Sequence, residues 1–545
     1  MLKRYLSLYS ALLAAFFIAL FFIVAFLFSF QQNLWVDETT QLSGLTLSFV
    51  DVYRWLSGLM DTPFSVPSDR MPVLSYWFGM VWSQIFSADL LVMRWSSLFL
   101  VVTSLFILAG YFFRREQYSI VLISLLFLCL SPNLTIIAVE VRAYALFFLF
   151  SVLAVLLYVD ILRRIECQQA VFFPMVVLSL VLGLSINTHF FGVVLSGSLL
   201  GAYLLMAVVD RRFVLNIKII FSVGAILLLG AGFIVLPVVA AFTSQGGSVD
   251  VDGSVSVFEA TILPAVKLVY RLVAHQTMGE AIMGERMLLA PLALIIVYGV
   301  ILFSIIKRPT MIKTTLFLVL LSGAVVAFVV DLFLSRFDAL APHYNIWMLP
   351  ILAILFAHAI NDLFVAKATH KFVLLGLLVI SCGYGQWTLA FAGEKYAHTR
   401  FAEIERRVNT VAASSRVTVI YNKAMAKTWF AGLYTFPVSV NQFVLEPSSA
   451  SMTKLPSVPQ RYINLRTGEI TALAEIERLS DVLISVYGEG VYSAELNAAA
   501  SEKTLPIDHP AFLQLQPSAF VWQQIEAKSY LAQESANIVV YKKTP

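Results

Sequence analysis

No charged residue separates Arg4 from Asp37. An uncharged apolar run longer than the ~20 residues needed to cross a bilayer has one common fate, a transmembrane helix. A cleaved signal peptide has a shorter apolar region and a small-residue cleavage site. Neither is obvious here, so residues 8–30 read as a retained helix. Further apolar runs follow at 92–112, 119–137, 143–159, 171–186, 190–209, 216–241, 287–306, 314–334, 345–361 and 372–391. With the first they make about eleven transmembrane helices. Composition points the same way: hydrophobic residues are 59% and charged residues 13%, where soluble chains carry about a quarter charged, and mean hydropathy is +0.84. A soluble enzyme, a disordered chain and a nucleic-acid binder are excluded. The fold class is a polytopic α-helical membrane protein whose first partner is the bilayer.

Charge fixes the expected orientation. Arg114-Arg115, Arg163-Arg164, Arg211-Arg212, Lys307-Arg308 with Lys313, and Lys367 with Lys371 occupy short connections at every second gap. Together with Lys3, Arg4 and Lys218 they hold 14 of the 22 Lys/Arg in residues 1–393, whereas the other side holds 14 of that region's 19 acids. The positive-inside rule then puts the N-terminus in the cytoplasm. An odd number of spans puts the C-terminus outside.

The outer segments are the long ones. Residues 31–91 form a first outer loop in which 42–60 and 73–88 read as interfacial helices, with Trp55, Trp77 and Trp82 at headgroup depth. Residues 242–286 form a second. Beyond residue 393 the charge density rises, with 29 charged residues in 394–545 against 41 in 1–393. Helix-like Tyr396–Ala413, strand-like Arg416–Tyr421 and Asp481–Tyr487, and the closing alternation Ala536–Tyr541 predict a small extracytoplasmic α/β domain over 394–545. The expected organisation is therefore a transmembrane domain, 1–393, and a soluble periplasmic domain, 394–545, in a multi-pass protein of the cytoplasmic (inner) membrane. The three cysteines (Cys129, Cys167, Cys382) are too few and too scattered for a disulfide framework or a zinc cluster.

The outer ends of the helices carry the chemistry. Asp37 and Glu38 follow the first helix directly. Carboxylates so near the hydrocarbon boundary are costly unless they face a cavity or bind something; the plainer reading is a solvated loop start. Glu140, Arg142 and Tyr144 (EVRAY) stand where the third helix turns into the fourth. Two-residue spacing in an extended turn would put all three on one side, though an acid and a base side by side also form a structural pair. His189 (NTHFFG) marks the next outer turn, a position where a satisfied polar cap is the commoner role. Arg336, Asp338, His343 and Tyr344 (SRFDALAPHYNIW) fill a later one, and Arg70 lies in the first loop. Together they set two acid sites and several cations on one membrane face.

One reaction needs this set. A sugar carried on a lipid phosphate is cut at its anomeric carbon while the phosphate leaves. The acceptor hydroxyl needs a carboxylate general base within hydrogen-bond reach. A phosphate monoester, with a second pKa of about 6, needs no acid to leave; it needs cations to stabilise developing charge. A polyprenyl-linked transporter (flippase) would show internal repeats and charges at mid-membrane depth, and neither is visible here. An O-antigen ligase-type enzyme would lean on Arg and His more than on a carboxylate pair.

The arrangement resembles the GT-C superfamily of polyprenyl-phosphate-dependent glycosyltransferases, in particular the protein O-mannosyltransferase and lipid A aminoarabinose transferase branch. The likeness lies mostly in residues 1–200: the acidic pair after helix one, the interfacial helices, ADLLVMRWSSLF entering helix two, and EVRAYALFF, which is similar to the family's Glu-x-Arg-x-Tyr pattern. NTHFFG resembles its His-aromatic turn and APHYNIWMLP its Arg-Tyr-rich turn. Two departures stand out: Asp69-Arg70-Met71-Pro72 replaces a His-Pro-Pro, and His343 stands where Arg is common. The resemblance implies a GT-C-like fold, a polyprenyl-phosphate-sugar donor and a glycan, lipid or protein hydroxyl acceptor. It implies that Asp37 is the general base and Glu140 the second acid, orienting substrate or a divalent metal. Glu38, Arg70, Arg142, Tyr144, His189, Arg336, His343 and Tyr344 are the expected substrate contacts. No ligand spacing demands a metal or any other cofactor.

Overall fold

The structure, a computed structural model, describes residues 2–30, 36–45, 47–60, 71–213, 217–239, 295–333, 341–365, a few positions within 375–387, 401–421, 436, 439–445, 461–465, 469–489, 522–530 and 535–544. The chain forms two compact units. One comprises Met1–Phe30, Leu56–Gly58 and Arg70–Gly393; the other comprises Gln31–Trp55, Leu59–Asp69 and Glu394–Pro545. Most of the first outer loop thus groups with the C-terminal residues rather than with the helices that flank it in sequence.

In chain order the helices are α1 (Leu2–Ser29), α2 (Val36–Gly44), α3 (Phe49–Leu56), α4 (Leu74–Ile85), α5 (Leu90–Phe113), α6 (Tyr118–Cys129), α7 (Pro132–Ile137), α8 (Tyr144–Glu166), α9 (Phe172–Thr188), α10 (Phe191–Val209) and α11 (Ile217–Gly232). A π-helical turn, Ile295–Gly299, then leads into α12 (Val300–Lys307), followed by α13 (Met311–Phe333) and α14 (Met348–Val365). Among the described residues five helices are long and apolar enough to cross a membrane, and five shorter apolar helices accompany them. Ten of the eleven expected runs contain described helix; most of the eleventh, 372–391, lies outside the described residues. Exposed Phe16, Phe22 and Ile23 on α1 and Leu228 and Leu229 on α11 show the apolar outer surface that lipid requires.

The run at 119–137 is not one helix. Ser131 is extended and Pro132 starts α7, because proline supplies no N–H to the preceding turn and fits the first helical position. The break frees carbonyls that lipid cannot satisfy. Gln386 satisfies them: its amide donates to Cys129 O at 3.1 Å and Ser131 O at 3.0 Å, and Thr135 Oγ1 donates to its Oε1 at 2.9 Å. Glycines set the helix spacing elsewhere. A Cβ on Gly230 would lie 3.0 Å from Gly183 Cα, the close approach that small residues permit between membrane helices. Asn187 Nδ2 ties the pair by donating to both their carbonyls, at 2.8 and 2.9 Å.

The second unit holds α2, most of α3, α15 (Phe401–Ala412), α16 (Leu473–Leu479) and a seven-stranded sheet. Its strands are β1 (Val417–Tyr421), β2 (Asn441–Leu445), β3 (Arg461–Asn464), β4 (Ile470–Ala472), β5 (Val482–Glu489), β6 (Trp522–Tyr530) and β7 (Ser535–Lys543), in the order β4-β3-β2-β1-β5-β7-β6. The centre, β2-β1-β5, is parallel and the flanks are antiparallel. Every residue of β1 is buried, as expected of a central parallel strand covered on both faces. The three strands expected from the sequence are β1, β5 and β7.

Candidate functional site

The site is built at one end of the first unit, where α5, α8, α9 and the turn before α14 meet. Glu140 and Arg142 lie in the short link between α7 and α8. That link is tighter than the extended turn expected: Arg142 N–H donates to Glu140 O at 2.9 Å, a three-residue turn centred on Val141. Ser97 Oγ on α5 donates to the same carbonyl at 2.5 Å. The link is therefore clamped from within and from the neighbouring helix. Tyr144 is the first residue of α8, and the Arg142 guanidinium carbon lies 6.0 Å from its ring centre, the outer edge of cation–π range.

His189 terminates α9 and lies in the two-residue link to α10. Gly192 makes the link possible: a Cβ there would lie 2.5 Å from the Ser185 carbonyl carbon and oxygen. The ring stacks on Phe147 (5.1 Å, 17°) and lies 5.5 Å from Tyr144 and 5.6 Å from Tyr344. His343 packs edge-on against Tyr344 at 4.4 Å and lies 4.9 Å from Tyr144. Six of the ten expected site residues are therefore accounted for in two ways. Tyr144, His189, His343 and Tyr344 form one aromatic cluster with Arg142 at its edge, Glu140 stands in the same link as Arg142, and Glu140, Arg142, Tyr144 and His189 are buried.

The state of His189 follows from its contacts. Nδ1 accepts a hydrogen bond from Phe191 N–H at 3.1 Å, so the neutral ring carries its proton on Nε2. Nε2 is buried and has no hydrogen-bond partner among the described residues. Burial, with His343 and the Arg142 guanidinium acting in the same direction, lowers the His189 pKa to about 3. The imidazole is thus an uncharged donor at any physiological pH, not a cation.

The remaining four are placed as follows. The Asp37 backbone is in the first turn of α2, but its side chain lies outside the described residues. Glu38, one position on, is 1% exposed, which sets aside the reading of a solvated loop start for that residue. Arg70 and Arg336, with Asp338, lie outside the described residues. Two residues not singled out from the sequence also build the site. Ser97 holds the Glu140 carbonyl, and buried Arg94 donates from Nη1 to Ser29 O at 3.1 Å. A cation at the carbonyl end of α1 is favourable. The signal was present in ADLLVMRWSSLF, a lone Arg in an apolar run.

Among the described residues no group of three or more His, Cys, Asp or Glu side chains is arranged to hold a metal ion.

No family model matches the sequence, and no curated protein matches it. Solved structures do match. The chain is similar to ArnT from Cupriavidus metallidurans in the apo state, with a TM-score of 0.51 at 11% identity, covering 96% of this chain and 97% of that one. ArnT bound to undecaprenyl phosphate matches at a TM-score of 0.44, 11% identity, 85% and 97% coverage. The Archaeoglobus fulgidus oligosaccharyltransferase tethered to an acceptor peptide matches at 0.46, 8% identity, 97% and 88% coverage. The fold is that of ArnT, a GT-C fold, as the sequence resemblance implied.

Proposed function

We propose that this protein is a membrane glycosyltransferase that moves a sugar from a polyprenyl phosphate to a hydroxyl of a glycan, lipid or protein acceptor. The observation that carries the reading is the cluster of Glu140, Arg142, Tyr144 and His189, four polar side chains buried together at one end of the helices. Buried ionisable groups at a membrane boundary are functional by default. The fold supports it, since ArnT binds undecaprenyl phosphate. The orientation read from charge makes this the periplasmic end of an inner-membrane protein.

In this mechanism the acceptor O–H gives its proton to the Asp37 carboxylate as its oxygen forms a bond to the anomeric carbon. The bond from that carbon to the phosphate oxygen breaks, and its electron pair stays with the departing polyprenyl phosphate. Arg142 faces the charge that grows on the phosphate, with Arg70, Arg336 and His343 as further contacts. His189 offers Nε2–H as a directional, uncharged donor to a donor-substrate oxygen. Glu140 and Glu38 orient the sugar or the acceptor. Tyr144 and Tyr344 exclude water from the reacting centre, where electrostatic contacts gain strength as the local dielectric falls. No step above depends on a metal ion.

The test is transfer from a polyprenyl-phosphate sugar by the parent, Asp37→Asn, Glu38→Gln and Glu140→Gln, with donor binding measured alongside. Asp37→Asn keeps the shape and removes the basicity, so transfer should fall by about two to four orders of magnitude while donor binding survives. Donor binding without transfer in the parent would favour a lipid-linked transporter. Parent-like turnover in Asp37→Asn would take the base away from that residue.

A further inference from the structure

At the other end of the same helices lies a second polar cluster. α8 carries Tyr144 at one end and Arg163 at the other, a rise of about 28 Å at 1.5 Å per residue, close to the thickness of the hydrocarbon core. Here most charges are matched. Asp160 takes Arg115 Nη2 at 2.5 Å and Arg164 Nε at 2.8 Å, and Lys313 Nζ takes Asp362 at 2.5 Å.

Arg163 makes no ion pair with a carboxylate among the described residues. Its side-chain hydrogen bond goes to a neutral acceptor, Gln117 Oε1, at 2.5 Å. Its guanidinium carbon lies 5.8 Å from the Tyr111 ring centre, with Arg115 at 3.7 Å from the same ring. It also acts electrostatically on both Tyr111 and His358. The Tyr111 hydroxyl and His358 Nε2 are both buried and have no hydrogen-bond partner among the described residues. Half-buried at a helix end, Arg163 is a cation that faces the ring of Tyr111, whose hydroxyl is unsatisfied among the described residues, an arrangement that an anion with several acceptor oxygens completes. The surrounding sequence has Arg114, Arg115, Arg163 and Arg164 against Glu116, Asp160 and Glu166, leaving a formal +1.

We propose that Arg163 and Tyr111 form a seat for the phosphate of an anionic phospholipid headgroup, separate from the candidate active site and independent of its function. Headgroup depth favours a lipid over free phosphate as the source, and net positive charge favours an anionic over a zwitterionic lipid. Lipid entry displaces the Arg163–Gln117 bond, and the freed guanidinium forks onto the phosphate.

Native mass spectrometry of the full-length protein in detergent tests this, with dioleoyl phosphatidylglycerol and dioleoyl phosphatidylcholine as probes and inorganic phosphate as competitor. Phosphatidylglycerol should be retained in preference to phosphatidylcholine, and Arg163→Gln should weaken it about tenfold or more. Tyr111→Phe keeps the ring beneath both guanidinia and removes only the hydroxyl, so its smaller loss reports contact rather than misfolding. Equal retention of the two lipids, or parent-like retention by both variants, would overturn the seat. Displacement of the lipid by inorganic phosphate at comparable concentration would overturn the lipid source.

Discussion

Gly192→Ala tests whether the candidate site depends on the close approach of α9 and α10. The added Cβ would stand 2.5 Å from the Ser185 carbonyl carbon and oxygen and 2.6 Å from Ile186 N. Unstrained contact needs roughly 3.5 Å or more, so the start of α10 must withdraw from α9 by about 1 Å. All three obstructing atoms are backbone, and no side-chain rotation can relieve them. Overpacking of this kind costs about 1–3 kcal/mol. A shift of about 1 Å at a reacting centre costs up to about a hundredfold in rate, and the segment that moves carries His189 and the Phe191 N–H that fixes its tautomer. The assay pairs thermal unfolding in detergent with sugar transfer from a polyprenyl-phosphate donor. Gly197→Ala and Gly201→Ala on the same helix are the controls, because a Cβ at either meets nothing within 4 Å. Both should match or slightly exceed the parent in stability, as alanine improves on glycine in a helix by about 0.5–1 kcal/mol. Parent-like stability and transfer in Gly192→Ala would refute the argument that this glycine positions the site.

Arg142→Ala should weaken donor binding or transfer about ten- to a hundredfold, the loss of one charge-assisted contact worth roughly 1.5–3 kcal/mol; Arg142→Lys should rescue only in part, which donor-lipid binding measures directly. His189 should make the protein acid-sensitive. Its folded pKa of about 3 lies below the unfolded value, so the unfolded chain binds the extra proton, and stability should fall as pH drops from about 6.5 toward 3 and stay flat above. His189→Gln should flatten that part of the curve in pH-dependent unfolding, with His343, Arg142 and Glu140 unchanged. Gly323→Ala should destabilise more than Gly197→Ala, since its Cβ would fall within 3 Å of the buried Trp347 ring, and the unfolding midpoint checks this.

The transmembrane helices were legible because lipid demands long uncharged runs, and such runs survive in sequence whatever packs against them. The break at Pro132 was not resolved within 119–137, although proline marks it. What makes the break tolerable is Gln386, whose pairing with Ser131 spans more than 250 positions and leaves no local signature. In the second unit β1, β5 and β7 announced themselves as buried apolar or alternating strands. The segments NQFVL, RYIN and WQQIEAKSY did not. RYIN and WQQIEAKSY lie outside the parallel centre and NQFVL within it, and in all three polar residues interrupt the apolar or alternating pattern that marks a strand. At the site the residue types were readable, but Glu140, Arg142 and Tyr144 are arranged by a three-residue turn rather than by an extended strand. That turn rests on Ser97, a residue on another helix.

The charge state of the cluster assigns labour within it. With His189 uncharged, it cannot share the neutralisation of a phosphate and can only direct a hydrogen bond. Positive charge must then come from arginine, and Arg142 is the described arginine that the link between α7 and α8 holds beside the aromatic rings. In the proposed mechanism Arg142 stays charged and His189 stays neutral between about pH 5 and pH 9, so neither sets the rate by titrating. The proposed base, Asp37, must be ionised before transfer. The acid limb of a pH–rate profile for donor cleavage should accordingly follow Asp37, and should persist in His189→Gln.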